Sequence, residues 1–117
     1  MTDVKRFRSI CRWLRRHFPS CFPVEYRLRP LDNIRRINPE AAKGVCEVFD
    51  DDSHLSPNSF RVTVLSTLSE EETIQTIFHE HAHVLRSHIR HFGDINADDP
   101  IRALIEDSIW RRWHEEE

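Results

Sequence analysis

The clearest chemistry in the chain sits in five consecutive residues, His79-Glu80-His81-Ala82-His83, which carry the spacing HExxH. On a helix, positions i and i+4 share one face about 6 Å apart. Two imidazoles placed there can both reach one tetrahedral Zn²⁺ at ~2.0–2.1 Å. Glu80 falls about 100° round the helix from His79. That puts it beside such an ion, where its carboxylate can act as general base and take a proton from a water. His81 lies on roughly the opposite face and is not expected to join the pair. His88 and His91, further along, read as exposed helix histidines or as part of a cleft wall. A catalytic zinc needs a third protein ligand and one open position. The carboxylates that follow, Asp94, Asp98, Asp99, Glu106 and Asp107, are the candidates. Asp98 stands in a loop and Glu106 in mid-helix. Asp99 is better used as the N-cap before Pro100. The plain alternative is a solvated, histidine-rich helix face.

The motif needs a helix, and the sequence supplies one with its own start and stop. Ser69-Glu70-Glu71-Glu72 forms a capping box, and three carboxylates suit the positive end of a helix dipole. Ile74, Phe78, Ala82, Leu85, Ile89 and Phe92 mark one apolar stripe in a different sector from His79 and His83. Gly93 ends the pattern. A last helix starts at Asp99-Pro100. Upstream, residues 4–18 form an amphipathic helix on Val4, Phe7, Ile10 or Cys11, Leu14 and Phe18. Val24–Leu31 alternates as a half-buried strand, Gly44–Phe49 is a second strand, and Phe60–Leu65 is a third. The stretch 32–43 reads as a connector and 50–59 as a polar loop. The order helix, three strands, helix, helix describes an α+β domain with a small sheet backed by helices.

The 117 residues fit one domain spanning the whole chain, with room for one modest core and none for a second, regulatory domain. The N-terminal segment lacks the apolar run of a signal peptide, since arginines interrupt Phe7, Ile10, Trp13 and Leu14. No apolar run reaches the ~20 residues that span a bilayer. A cytoplasmic protein, a monomer with no membrane partner, is expected. Cys11, Cys21 and Cys46 are odd in number and form no CxxC pair, which speaks against a disulfide scaffold or zinc ribbon and for small buried hydrophobes. Charge is uneven. Residues 1–36 hold 10 Lys and Arg against 3 Asp and Glu, and the remainder is acidic. A basic first third can meet nucleic acid or an acidic partner. With no aromatic-and-basic recognition module beside it, a helix with one solvated arginine-rich face is the favoured reading.

The element order, with His79, Glu80, His83 and Pro100, resembles the minimal zincin catalytic domain. From Phe78 to Trp113 it resembles the SprT-like zinc metallopeptidases, including their compact phage-type forms. In that family a loop with a third histidine opens the last helix. The matching stretch here is Asp98-Asp99-Pro100-Ile101-Arg102, with Asp98 at the ligand position and Arg102 where an aromatic is usual. The glutamate-bearing branch of the minimal zincins fits as well, with Glu106 as the ligand. The resemblance implies hydrolysis of peptide bonds in a protein or peptide substrate. The third strand precedes the active helix and is a candidate edge for pairing an extended substrate. Tyr26, His88, His91 and several arginines are candidate oxyanion stabilisers. Other readings are a catalytically silent zinc module that binds a protein partner, and a deformylase-like enzyme with Cys46 as third ligand. The glutamate tail, Glu115–Glu117, is expected to be solvated.

Overall fold

The apolar spacing at the start of the chain becomes a helix in a computed structural model, which describes residues 3–50, 57–87 and 100–116. This helix, α1 (Val4–His17), starts where the Asp3 side chain accepts the backbone N–H of Lys5 at 2.9 Å. It buries Phe7, Ile10, Cys11 and Leu14, while Val4, expected inside, is half exposed at the helix start. After Pro23 the alternation Val24–Arg29 forms β1.

A second helix then appears where a connector was expected. This α2 (Leu31–Ile37) places Leu31, Ile34 and Ile37 three residues apart, and Ile34 is fully buried. The Pro30 carbonyl accepts the N–H groups of Asn33 and Ile34, and Asn38 closes the last turn onto Ile34. Burial of one isoleucine holds a segment too short to be stable alone.

The sheet is completed by β2 (Gly44–Asp50) and β3 (Pro57–Leu65), in the order β1-β3-β2. β1 runs parallel to β3 and β2 antiparallel to it. β3 is therefore the central strand, which corrects the expectation that it offers a free edge. Its composition explains the position: Phe60, Val62, Thr63 and Val64 are each at most 1% exposed, and strands buried on both faces belong in the middle of a sheet. Among the described residues the edge strands are β1 and β2. The register sets Tyr26, Val62 and Cys46 in one row, and Leu28, Val64 and Gly44 in the next.

The capping box then opens α3 (Glu70–Arg86). Ser69 Oγ accepts the backbone N–H of Glu72 and donates to its carboxylate, both at 3.2 Å. This helix buries Ile74, Ile77, Phe78, His81, Ala82 and Val84. The stripe expected beyond it, at Ile89 and Phe92, and the stop at Gly93 lie outside the described residues. The last helix, α4 (Pro100–Glu116), begins at the expected proline and packs on α3 with Ile109 and Trp113. Rings from three helices meet in one cluster, with Phe78 4.7 Å from Trp110 and Trp13 4.9 Å from Trp113. The end of the chain takes part in that joint: Glu116 accepts from Trp13 Nε1 and lies 3.5 Å from His17. The tail is helical through Glu116, with Glu115 and Glu116 exposed as expected, and the Glu116 side chain also reaches α1. The described residues form an α+β arrangement of four helices and a three-stranded mixed sheet. No described helix is long and apolar enough to cross a membrane.

Candidate active site

α3 carries all three histidines of the motif and turns them to two different sides. His79 and His83 point their Nε2 atoms at each other, 3.2 Å apart. A tetrahedral ion bound at ~2.0–2.1 Å sets two of its nitrogens roughly 3.3 Å apart, so this pair already has the separation that zinc would need. His81, on the other side, is 1% exposed and fully engaged. Its Nε2–H donates to the Phe18 carbonyl at 2.8 Å, and its Nδ1 accepts the Tyr26 hydroxyl. Tyr26 is therefore committed behind α3 and does not serve as an oxyanion stabiliser in the cleft. Burial raises its hydroxyl pKa, which keeps the O–H in place as donor.

Glu80 lies between helix and sheet, 8% exposed. Its carboxyl is pushed up to about 7, first by burial and then by the Glu106 carboxylate, with Arg102 opposing. Gly44 makes that position possible. A Cβ there would lie 2.6 Å from Thr76 Cγ2, 3.1 Å from the Thr63 carbonyl oxygen and 3.5 Å from Glu80 Cγ. Only a glycine lets β2 come this close to α3.

Glu106 is drawn into the site from α4. It accepts the Nδ1–H of His79 at 2.9 Å and is held by Arg102 Nη1 at 2.6 Å, while the same Arg102 atom sits 3.2 Å from His79 Nδ1. Nδ1 and Nε2 lie on opposite sides of an imidazole. The Glu106 carboxylate therefore touches the nitrogen that points away from His83. That is the place of a carboxylate that fixes the ring and its tautomer, leaving Nε2 with a lone pair. Of the two expected third ligands, Glu106 is thus near the pair but on the wrong nitrogen to complete it. Asp98 lies outside the described residues, as do Asp94, Asp99, His88 and His91. Among the described residues, no three His, Cys, Asp or Glu side chains converge closely enough to hold a metal. Cys46 lines the groove with Glu80 and His83, but its thiol is pushed up to about 12 by burial and by Glu80 and Glu47.

No family model, curated protein or solved structure matches the chain.

Two depressions meet at Gly44 and Glu80. One, of about 620 Å³, is walled by Lys43, Gln75, Thr76, His79, Glu106 and Trp110. The other, of about 380 Å³, is walled by Asn38, Val45, Cys46, Val48, His83 and Ser87. Each histidine of the pair faces one of them, so the groove passes directly over the site along β2. Around the two imidazoles stand the carboxyls of Glu80 and Glu106 and the guanidinium of Arg102, with Lys43 on the wall of the larger depression.

Arg102, Gly44 and Trp110 were not named as site residues in the sequence reading. Arg102 and Glu106 stand four apart on one helix, a spacing that marks an ion pair. A glycine within a strand marks a close backbone approach. Trp110 left no signal that separates it from a core aromatic.

Proposed function

We propose that this chain is a zinc-dependent peptidase of the SprT-like, minimal-zincin type, with His79 and His83 as metal ligands, Asp98 as the third and Glu80 as general base. The observation that carries the reading is the Nε2 pair at 3.2 Å beside a buried carboxylate, in a groove open to solvent. When bound, the ion supplies Lewis-acid polarisation of a carbonyl and acidifies a water. Glu80 takes the proton of the attacking water and returns it to the leaving amine. Glu106, held by Arg102, orients His79. The role expected of β3 passes to β2, an edge strand among the described residues, which borders both depressions and can pair with an extended polypeptide. The pocket beside Trp110 and Thr76 then receives a side chain next to the scissile bond.

The test is cleavage of a fluorogenic peptide mixture by the zinc-loaded chain, with and without chelator, beside Glu80→Gln. Loss of cleavage by 10²-fold or more with zinc content kept supports the roles given. Loss of zinc in Glu80→Gln would show that Glu80 is a ligand. Full zinc occupancy with no hydrolysis of any peptide would leave the silent binding module as the better reading.

A further inference from the structure

The arginines of α1 were expected to form one solvated face; Arg8, Arg12 and Arg15 are exposed, and they stand round a recess. Arg8, Arg12 and Arg15 lie at i, i+4 and i+7, on one side of the helix. They wall a depression of about 370 Å³ whose floor is Phe7, Cys11 and Tyr26. A second depression, of about 390 Å³, continues from it past Arg15 and Tyr26 to Pro19, Phe22 and Pro23. No Asp or Glu lines either one, and among the described residues none forms an ion pair with these three arginines. Arg15 is already set in place. One Nη donates to the Val24 carbonyl at 2.9 Å, and the guanidinium lies over the Tyr26 ring, 4.8 Å from its centroid. Its other N–H groups have no partner among the described residues. The second depression reaches His81, which faces away from His79, so this recess and the proposed active site stand on opposite sides of α3.

We infer that this recess binds single-stranded nucleic acid through its phosphates, independently of sequence. Three guanidiniums along roughly 10 Å of helix suit consecutive phosphates of one strand. The apolar floor at Phe22, Pro19 and Pro23 suits unpaired bases, which a duplex keeps hidden. The Tyr26 ring is covered by Arg15 and its hydroxyl is spent on His81, so Tyr26 itself does not read a base. The chain carries a net charge of −3. The basic excess lies in the first 36 residues, which supply Arg8, Arg12 and Arg15, so a polyanion is attracted to this side of the chain.

The test is fluorescence anisotropy of a fluorescein-labelled dT12 strand, and of U12 for RNA, against the full chain with chelator present, over 50–200 mM NaCl. Three phosphate contacts predict a log–log salt slope of about −2, hence a 15- to 20-fold weakening over that range. The double variant Arg8→Gln/Arg12→Gln keeps Arg15 and should weaken by only about threefold over the same range, from a lower starting affinity. Both replaced side chains are exposed, and an unchanged urea midpoint shows that the variant is folded. Arg35→Gln/Arg36→Gln, on α2, should bind as the parent does. Three results overturn the inference: no binding at 50 mM salt, equal binding by the Arg8/Arg12 variant, or displacement of dT12 by polyglutamate or duplex as readily as by unlabelled dT12. The chelator makes the outcome independent of any metal and of peptidase activity.

Discussion

The two sides of α3 use the same side chain in opposite ways. On the cleft side, His79 and His83 hold their Nε2 atoms 3.2 Å apart in a solvent-open groove. On the back, His81 spends both ring nitrogens on Tyr26 and Phe18 in a dry interior. Identical residue types two positions apart thus differ because one side meets a groove and the other a sheet. A histidine with both nitrogens satisfied is a structural joint. Two Nε2 atoms this close share either the N–H of one neutral ring or a cation held between them.

The largest effect that could break this contrast is a direct exchange of outcomes. His79→Ala should abolish zinc binding, measured by metal analysis after dialysis, and leave the chelated protein nearly as stable as before. His81→Ala should keep zinc at one per chain and lower stability in urea by about 2–4 kcal/mol. The reason is that it strands the Phe18 carbonyl and Tyr26 hydroxyl and opens a cavity. If His81→Ala loses the metal with its fold intact, the division into two sides is wrong.

Next in size is the support of His79. Glu106→Gln removes the charge that anchors Nδ1–H and should weaken zinc about 10- to 100-fold without abolishing it. Asp98→Asn, the substitution at the proposed third ligand, should weaken it further. Equal and complete loss of zinc in Glu106→Gln, with Asp98→Asn unchanged, would make Glu106 the ligand and require its carboxylate to leave Nδ1 for the metal side. Competitive titration with a zinc indicator separates these outcomes.

The sequence makes one side of α3 far easier to read than the other. The capping box at Ser69 and the proline at 100 fix where α3 and α4 begin, because caps and prolines act locally. The pair His79 and His83 is legible for the same reason: four residues of helix bring them together whatever surrounds them. α2 is not legible, since seven residues give Leu31, Ile34 and Ile37 barely two turns in which to show a period. Strand alternation tells which side chains share a face but not which strand lies between two others, so the central place of β3 was missed. Tyr26 was misplaced through the same gap, because only the order β1-β3-β2 and the packing of α1 bring it under His81. Arg102 and Gly44 act across elements distant in sequence, and spacing alone gives no distance between α4 or β2 and α3.

A smaller effect sharpens the contrast at the floor of the cleft. Gly44→Ala places a methyl against Thr76 Cγ2 and should cost about 1–3 kcal/mol, by overpacking. The strain pushes β2 away from Glu80, so peptide cleavage should fall more than stability alone explains. Thr76→Ser deletes the clashing Cγ2 and keeps the hydroxyl that donates to the Glu72 carbonyl at 2.8 Å. The double variant Gly44→Ala/Thr76→Ser should therefore recover most of the loss. Failure to recover would mean that the Thr63 carbonyl, 3.1 Å away, sets the limit instead.

The smallest effect concerns the dry side alone. Cys11 lies on the buried face of α1, 3% exposed, and burial pushes its thiol up to about 12 against an ordinary 9.0, with Arg15 opposing only in part. The unfolded chain therefore releases this proton before the folded one does. Between about pH 9 and 12 the folded state binds more protons, so stability falls as pH rises through that window and is fully present below it. Urea midpoints at pH 7, 9 and 10.5 should decline, and Cys11→Ala should remove about half of the decline, the rest belonging to Cys46 with its thiol also raised to about 12, while starting lower from its lost packing. Cys21 is exposed, so Cys21→Ala should leave the slope as it is. A slope unchanged by Cys11→Ala would mean that water reaches the back of α3, and the contrast between its two sides would lose its physical basis.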